Sequence, residues 1–305
     1  ENQMSVSTPA KTHNIATIDI QNLIASIENL PSIPETLLAI LKVLDDPNSG
    51  ASDLAEVVRL DAPLMAKVLR LANSPYYSQR GDLVDINRCV AVLGYKTVRQ
   101  VAICITVATT VISAVSKSRG NMDYRELWRH SVVTGAIAKH LATMVKYPDP
   151  EEIFTGGLLH DMGKFVLELH APVHYDQIIT NRLQSKLSLC EEEEKVFGYN
   201  HAHIGEAFGK SWRFPELLVA CFGNHHKNVA SFAENRIDHA VALVSLADYL
   251  ANTMKPPVSD LGFDPELVNP VQLHQNANVE ISMVEENLQQ IRESINLASG
   301  YLDIK

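Results

Sequence analysis

Apolar residues recur at helical spacing in short segments along most of this sequence, and turn-forming residues separate those segments. Leu54, Val57 and Val58, for example, fall on one helical face. Pro63 then marks the start of another helix. Aromatic residues make up only 6% of the chain, while 46% of it is hydrophobic, which favours helices packed around a sizeable core. No segment shows a convincing strand pattern, so the sequence predicts an all-α fold.

Breaks in the helical pattern divide the chain into four parts. Residues 1–14 are polar and are predicted to form a disordered head. Helical segments fill residues 15–120, and a second helical part, residues 121–255, contains most of the histidines. Consecutive prolines then begin a helical tail at residues 256–305. Any chemistry is therefore expected in the second helical part.

The tail contains one long candidate helix whose apolar residues have a seam-like spacing. These residues are Val284, Leu288, Ile291 and Ile295. We expect this helix to pack on the rest of the chain or on a second copy, which makes the tail a candidate homodimer interface.

The charge balance argues against nucleic acid as a partner. The formal net charge is −10, and the basic residues form no cluster that could bind a phosphate backbone. DNA binding through the helices between Ser52 and Asn73 would also need a basic recognition helix, which the sequence lacks. The acidic run at residues 191–194 is interpreted as a solvated helix face.

The cysteines and the longest apolar stretch both favour a cytoplasmic chain without a membrane span. The four cysteines lie far apart and form no CxxC pair, as expected for buried thiols in a reducing cytosol. The first fourteen residues lack the pattern of a secretory signal. Residues 101–115 are apolar but shorter than the roughly 18 to 20 residues that a bilayer crossing needs, so we expect a buried core helix there.

The segment from Gly156 to Lys164 contains adjacent imidazole and carboxylate groups, His160 and Asp161. Glycines around the pair allow neighbouring helices to approach closely, and two leucines before it indicate a partly buried setting. Burying a carboxylate costs several kcal/mol unless it is paired or coordinated. Asp161 therefore requires an ion or a hydrogen-bonded partner.

Two further sites in the sequence place polar groups in helices. Asp248 lies in a strongly apolar helix that is expected to be buried, so its carboxylate would be shielded from solvent. Glu126 and His130 are four residues apart on one predicted helix, so their side chains share a face. Taken alone, a pair such as Glu126 and His130 is more often a helix-stabilising or core contact than a metal site.

Histidine pairs at two other positions supply further donor groups: His201 with His203, and His225 with His226. Imidazole and carboxylate ligands suit iron, zinc or manganese, and Lys164 beside such a site would be available to a phosphate oxygen. A metal-bound water could then attack phosphorus. Spacing alone leaves a metal site and a purely structural role open.

Four of these residues match, in order, the H…HD…D pattern of one known family. The sequence therefore resembles the HD superfamily of metal-dependent phosphohydrolases. The four residues are His130, His160, Asp161 and Asp248, and Lys164 completes an HDxxK variant. The first helical part resembles the HDOD branch, the HD-related output domain of bacterial signalling proteins. The matching segments are residues 30–34 (LPSIP), 58–73 (VRLDAPLMAKVLRLAN) and 86–94. The resemblance implies a multi-helix HDOD-like bundle over roughly residues 15–255.

The sequence also resembles the HD-GYP cyclic-dinucleotide phosphodiesterases. Their enlarged ligand set has counterparts in Glu126, His130, His160, Asp161, His201, His225, His226 and Asp248. This resemblance implies two divalent metal ions, with Asp161 able to bridge them. After His226 the sequence reads KNVASF where that family has a glutamate and a DGxGYP loop, which argues against hydrolysis of cyclic di-GMP.

The resemblance leaves two functions open. One is a regulatory output module of bacterial signal transduction that acts through signalling-protein partners. The other is a metal-dependent phosphohydrolase acting on a phosphoester or a cyclic nucleotide, with Asp161 and Lys164 as catalytic residues. The HDOD-like first part favours the module, and the retained ligand set favours the enzyme, although a structural metal would explain those ligands equally well. Of the two functions, the regulatory module is slightly favoured over the phosphohydrolase.

Overall fold

The computed structural model describes residues 33–46, 48–74, 83–118, 120–182, 184–185, 187–227, 235–254 and 269–298. Within these ranges every regular element is a helix and no strand occurs, which confirms the all-α prediction. The predicted head at residues 1–14 and the predicted tail boundary at residue 256 lie outside the described residues.

The first part of the chain forms helices whose boundaries follow local chemistry. These helices are α1 (Glu35–Asp45), α2 (Ala51–Leu60), α3 (Ala62–Ala72), α4 (Ile86–Leu93) and α5 (Tyr95–Val115). The Asp61 carboxylate accepts a hydrogen bond from the Leu64 N–H at 2.9 Å and thereby caps α3. Gly94, between α4 and α5, has a φ of 86°, which residues with a side chain rarely adopt.

The histidine-rich part and the tail supply the remaining described helices. The former has α6 (Tyr124–Met144), α7 (Pro150–Leu159), α8 (Met162–His170), α9 (Pro172–Arg182), α10 (Leu189–Phe197), α11 (His201–Ser211), α12 (Glu216–Asn224) and α13 (Arg236–Thr253). The tail has α14 (Pro270–Ala277), α15 (Ile281–Glu286) and α16 (Leu288–Leu297).

Helix α5 is the central element of the first part. It spans 21 residues, more than the apolar stretch at residues 101–115, and by length and composition it could cross a membrane. In the structure, 67% of its apolar window is buried, because α5 packs on α1 to α4 and also on α7 and α8. This burial confirms the predicted core helix.

Polar contacts also join α5 to α7, and so join the two helical parts. The Thr155 hydroxyl donates to the Gln100 side-chain oxygen at 2.6 Å, and this contact is buried. Lys96 and Arg99 form ion pairs with Asp149, at 3.2 Å and 3.5 Å, next to the start of α7. The two parts therefore share one packed interface, and the division between them at residue 120 stays a prediction.

Two close helix crossings are made by glycines in the segment that the sequence singled out. A Cβ atom on Gly157 of α7 would lie only 2.9 Å from the Cα of Gly135 in α6. A Cβ atom on Gly163 of α8 would overlap the carbonyl oxygen of His201 at the start of α11. Backbones touch at both crossings without an intervening side chain, which draws α6, α7, α8 and α11 together.

The tail departs from the prediction of one long helix, because α15 and α16 are separate and meet at Asn287. The Asn287 side-chain amide donates to the Met283 carbonyl at 2.8 Å, a local bond that competes with the regular helical pattern. Helix α16 packs on α6 and fully buries Ile291 there. Leu288 and Leu297 remain 38% and 41% exposed, and a homodimer through the tail stays a prediction.

Candidate metal centre

Imidazole and carboxylate side chains from five regions of the chain meet in the interior of the histidine-rich part. They are His130 of α6, His160 and Asp161 between α7 and α8, His201 at the start of α11, His225 and His226 after α12, and Asp248 of α13. All of them are buried except His226, which is exposed. The structure therefore brings together seven of the eight ligands that the resemblance implied.

The first group of donor atoms consists of His130, His160 and Asp248, whose ligand atoms lie within 4.8 Å of one another. The Oδ1 atom of Asp248 lies 2.9 Å from Nε2 of His130 and 3.7 Å from Nε2 of His160. The apolar helix α13 thus places its buried carboxylate against two imidazoles.

The second group consists of Asp161, His201, His225 and His226, again with ligand atoms within 4.8 Å of one another. The Oδ1 atom of Asp161 lies 3.5 Å from Nε2 of His201 and 3.6 Å from Nε2 of His225. The Nε2 atoms of His201 and His226 are 2.9 Å apart. Four side chains therefore surround one small volume.

Asp161 lies between the two groups, because its two oxygens face different histidines. While Oδ1 faces the second group, Oδ2 lies 3.3 Å from Nε2 of His160 and 3.8 Å from Nε2 of His130. Lys164 is also buried here, and its amine donates to Oδ2 at 2.8 Å. A carboxylate in this position can bridge two cations.

The outer ring nitrogens of two histidines are anchored to backbone carbonyls. Nδ1 of His160 lies 2.7 Å from the Gly157 oxygen, and Nδ1 of His225 lies 3.0 Å from the oxygens of Cys221 and Phe222. Because a carbonyl only accepts, each Nδ1 carries a hydrogen. Nε2 is therefore the ring atom that each histidine presents to Asp161, the arrangement usual for metal-ligating histidines.

Several polar atoms that point into this centre lack hydrogen bonds. Nε2 of His160, Nε2 of His225 and Oδ1 of Asp161 are buried and make none with any residue that the structure describes. Buried polar atoms are nearly always satisfied, so such a cluster requires an explanation. Imidazole and carboxylate donors are the ligands of first-row divalent metals, and the centre fits such ions.

The charges in the centre act in opposite directions on the pKa values of His160 and His201. Burial alone would lower the pKa of His160, but Asp161 and Asp248 raise it to about 10. Burial opposes ionisation of Asp161, yet His160 and Lys164 hold its pKa well below the usual range. Burial and the charge of Lys164 hold the pKa of His201 well below its usual value, which leaves that ring free to act as a ligand.

Glu126, the eighth implied ligand, does not lie in the centre. Its side chain is 43% exposed and forms an ion pair with Arg129 at 2.6 Å. Glu126 lies one turn nearer the start of α6 than His130, beyond the edge of the buried cluster. His203 also lies outside, since it is exposed and its Nδ1 accepts a hydrogen bond from the Asn200 N–H at 3.2 Å.

The acidic run at residues 191–194 is only partly a solvated face, contrary to the prediction. Glu191 and Glu194 are exposed, whereas Glu192 and Glu193 are buried because that side of α10 faces the interior. Glu193 contacts His201, with Oε2 lying 2.7 Å from Nδ1. Burial raises the pKa of Glu193 to about 8, although the His201 N–H and Lys164 act in the opposite direction.

Glu193 is a site residue that was not predicted, although the sequence contains a signal for it. Leu189, Glu193 and Phe197 follow one another at intervals of four residues, so they share one helical face. Two of the three are large apolar residues, and all three are buried. A carboxylate on an apolar stripe is the same pattern that identified Asp248.

Comparison with known proteins now identifies the family. A family model described as the HDOD domain matches residues 30–228. The chain belongs to the HDOD domain family. The matched region starts before α1 and extends past His226, so it contains every residue of the centre except Asp248.

Three solved structures share the fold of this HDOD chain. An HDOD domain protein of unknown function from Geobacter sulfurreducens is 22% identical, with a TM-score of 0.72 and coverage of 92% of this chain and 99% of that one. A protein from Shewanella amazonensis SB2B, provisionally named a phosphohydrolase, is 23% identical, with a TM-score of 0.71 and coverage of 92% and 97%. One from Marinobacter aquaeolei VT8, provisionally named a signal transduction protein, is 19% identical, with a TM-score of 0.73 and coverage of 95% and 62%. These similarities confirm the HDOD-like helical bundle.

A curated relative is considerably longer than this chain. An uncharacterized protein from Treponema pallidum (strain Nichols) is 23% identical over 201 residues. The match covers 66% of this HDOD chain but 38% of the relative.

Proposed function

We propose that this HDOD chain is a bacterial, cytoplasmic signal-transduction module whose buried His/Asp centre binds divalent metal ions and whose surface contacts other signalling proteins. The observation that carries the proposal is Asp161, a fully buried carboxylate between two groups of histidines. A buried charge of this kind requires a compensating cation or a complete set of hydrogen bonds.

Two positions for metal follow from the two groups of donor atoms. The first metal position would be held by His130, His160, Asp161 and Asp248. The second metal position would be held by Asp161, His201, His225 and His226. Iron, zinc and manganese suit this mixture of imidazole and carboxylate ligands.

Burial of the centre supports a regulatory role over catalysis. His226 is the one exposed ligand, and the amine of Lys164 is buried against Asp161 rather than directed to solvent. The negative net charge supports protein partners rather than nucleic acid. Metal held by residues from so many helices would stabilise the packing that such a surface needs.

A metal-dependent phosphohydrolase acting on a phosphoester or cyclic nucleotide is the second candidate. The position of Lys164, 2.8 Å from a carboxylate that can bridge two cations, favours it. Bound metal would supply a water of lowered pKa. Lys164 would then hold a phosphate oxygen, Asp161 would orient the reacting groups, and a substrate would approach from the side of His226.

Metal analysis of three forms of the chain tests the proposal. We expect purified wild-type chain to contain iron, zinc or manganese by mass spectrometry of the elements, and Asp161→Ala to lose metal from both positions. Glu126→Gln is the matched control: it should keep its metal, because Glu126 lies outside the centre.

Two results would contradict the proposal. A wild-type chain that binds none of the three metals, after purification or after reconstitution, would remove its basis. Hydrolysis of phosphoesters or cyclic nucleotides by wild type but not by Asp161→Ala would replace the regulatory function with the second candidate.

A further inference from the structure

We propose that Glu193 is a positioning residue that holds the His201 ring with Nε2 toward the second metal position and thereby sets the affinity of that position. This inference rests on the proposed metal-binding function. It concerns a residue that belongs to neither group of donor atoms around Asp161.

The position of each histidine in its helix explains why His201 needs a side-chain partner. His160 and His225 each follow the end of a helix, where unpaired backbone carbonyls accept the hydrogen on Nδ1. His201 is the first residue of α11. A helix start offers unpaired N–H groups instead of carbonyls, so the Nδ1 of His201 has to find its acceptor elsewhere.

Glu193 supplies that acceptor and satisfies the backbone of His201 as well. Its Oε2 lies 2.7 Å from Nδ1 of His201 and accepts the His201 backbone N–H at 2.8 Å. The two bonds fix both the start of α11 and the direction of the ring. With the hydrogen on Nδ1, Nε2 keeps its lone pair and faces Oδ1 of Asp161 at 3.5 Å.

Glu193 is itself held in place. The Tyr175 hydroxyl of α9 donates to Oε1 of Glu193 at 3.1 Å, and both residues are almost completely buried. A fixed carboxylate behind a ligating imidazole orients the ring and increases its basicity, and removing such a partner typically weakens metal binding. Tyr175, Glu193 and His201 therefore form a chain that leads from α9 to the second metal position.

Glu192 provides a matched control in the same helix. It is as buried as Glu193, but its carboxylate forms no hydrogen bond to any histidine that the structure describes, and the ammonium group of Lys195 lies 3.8 Å from it. A variant at Glu192 therefore reports the cost of altering a buried glutamate of α10 without altering His201.

Zinc titration of metal-free chain in competition with a chelator tests the inference. We expect Glu193→Ala to weaken the second zinc by about 10- to 100-fold and to leave the first unchanged. Glu193→Gln keeps an acceptor oxygen and should weaken the second zinc less than Glu193→Ala does. Glu192→Gln should bind both zinc ions as wild type does.

NMR of isotope-labelled histidine in the zinc-loaded chain provides a second readout. We expect His201 in wild type to carry its hydrogen on Nδ1, and this signal to shift or broaden in Glu193→Ala. A His201 ring that carries its hydrogen on Nε2 in wild type would overturn the inference.

The titration separates failure of this inference from failure of the proposed function. If wild type binds two zinc ions and Glu193→Ala binds both equally well, the inference is wrong and the proposed function stands. Equal losses in the Glu193 and Glu192 variants would reduce Glu193 to a packing role. If wild type binds no zinc, the proposed function fails and this inference fails with it.

Discussion

Asp248 illustrates how a single carboxylate is accommodated in an apolar helix. It is 4% exposed, and its Oδ1 lies beside the imidazoles of His130 and His160. Burial opposes its ionisation, but the facing rings of His130 and His160 hold the pKa of Asp248 well below its usual value. A charged group thus persists in the core because its partners come from two other helical segments.

Glu168 of α8 is a buried carboxylate with weaker compensation. Its Oε1 accepts a hydrogen bond from the Ser118 hydroxyl at 3.0 Å, while Oε2 makes none within the described residues. Burial raises the pKa of Glu168 from the usual 4.5 to about 7. Because the folded chain binds this proton more tightly than the unfolded chain, stability decreases as pH rises from 4.5 to about 7.

We therefore expect Glu168→Gln to be more stable than wild type at pH 8, by about 1 to 2 kcal/mol once solvent screening is included. The advantage should nearly disappear at pH 4.5, where Glu168 is protonated in the folded chain and half protonated in the unfolded chain. Urea unfolding of both forms at the two pH values measures this difference. Glu285→Gln, at an exposed site, is the control, and an equal pH dependence in wild type and Glu168→Gln would contradict the prediction.

Residue chemistry explains which site residues could be predicted from the sequence. Asp161 and Asp248 stand out because their neighbours are apolar, so burial of their charge follows from the sequence. Glu126 shares a helical face with His130, yet only the structure shows that the buried cluster ends before Glu126 and that Arg129 pairs with it. Helical spacing predicts on which face of a helix a residue lies. It does not predict over what length of the helix that face is covered by neighbouring helices.

At the scale of helices, close crossings fix the distances within the centre. The glycine-rich segment predicted close approach, and Gly157 and Gly163 confirm it by touching the backbones of Gly135 and His201. Which helices approach was not predictable, because the choice depends on contacts between residues far apart in the sequence. The break at Asn287 was likewise unpredicted, since no proline or glycine marks it.

Gly163→Ala is expected to destabilise the fold by about 3 kcal/mol or more, because its new methyl group would overlap the backbone of His201. It should also weaken the second metal position, which depends on His201. Gly156→Ala is the matched control, because its methyl group would lie 3.1 Å from the side-chain sulfur of Cys221 and would overlap no backbone atom. Chemical unfolding and zinc titration measure both effects, and equal losses in the two variants would argue against a special role for the α8–α11 crossing.

At the scale of the whole molecule, the tail packs on the histidine-rich part. Ile291 of α16 is fully buried against α6, and the Ser294 hydroxyl lies 3.2 Å from Nδ1 of His140 in the same helix. Seam-like spacing predicted that this face would be covered, by the same chain or by a second copy. The sequence left that choice open, since apolar spacing does not identify what packs against it.

Removal of the Ile291 side chain tests whether the tail unfolds together with the rest of the chain. We expect Ile291→Ala to reduce the free energy of unfolding by about 2 to 5 kcal/mol, in a single transition followed by circular dichroism in urea. Leu288→Ala, on the same helix but 38% exposed, should cost much less. A separate early transition in Ile291→Ala would show that the tail is an independent unit.

The contact between α8 and α11 has a mechanical consequence. No flexible side chain lies between the backbones of Gly163 and His201, so neither helix can slide without pushing the other. Lys210 lies on the outer, exposed side of α11, where another protein can reach it. Under the proposed function, a partner that displaced this outer side would change the distance between His201 and Asp161, and a change of bound metal would move α11 in return.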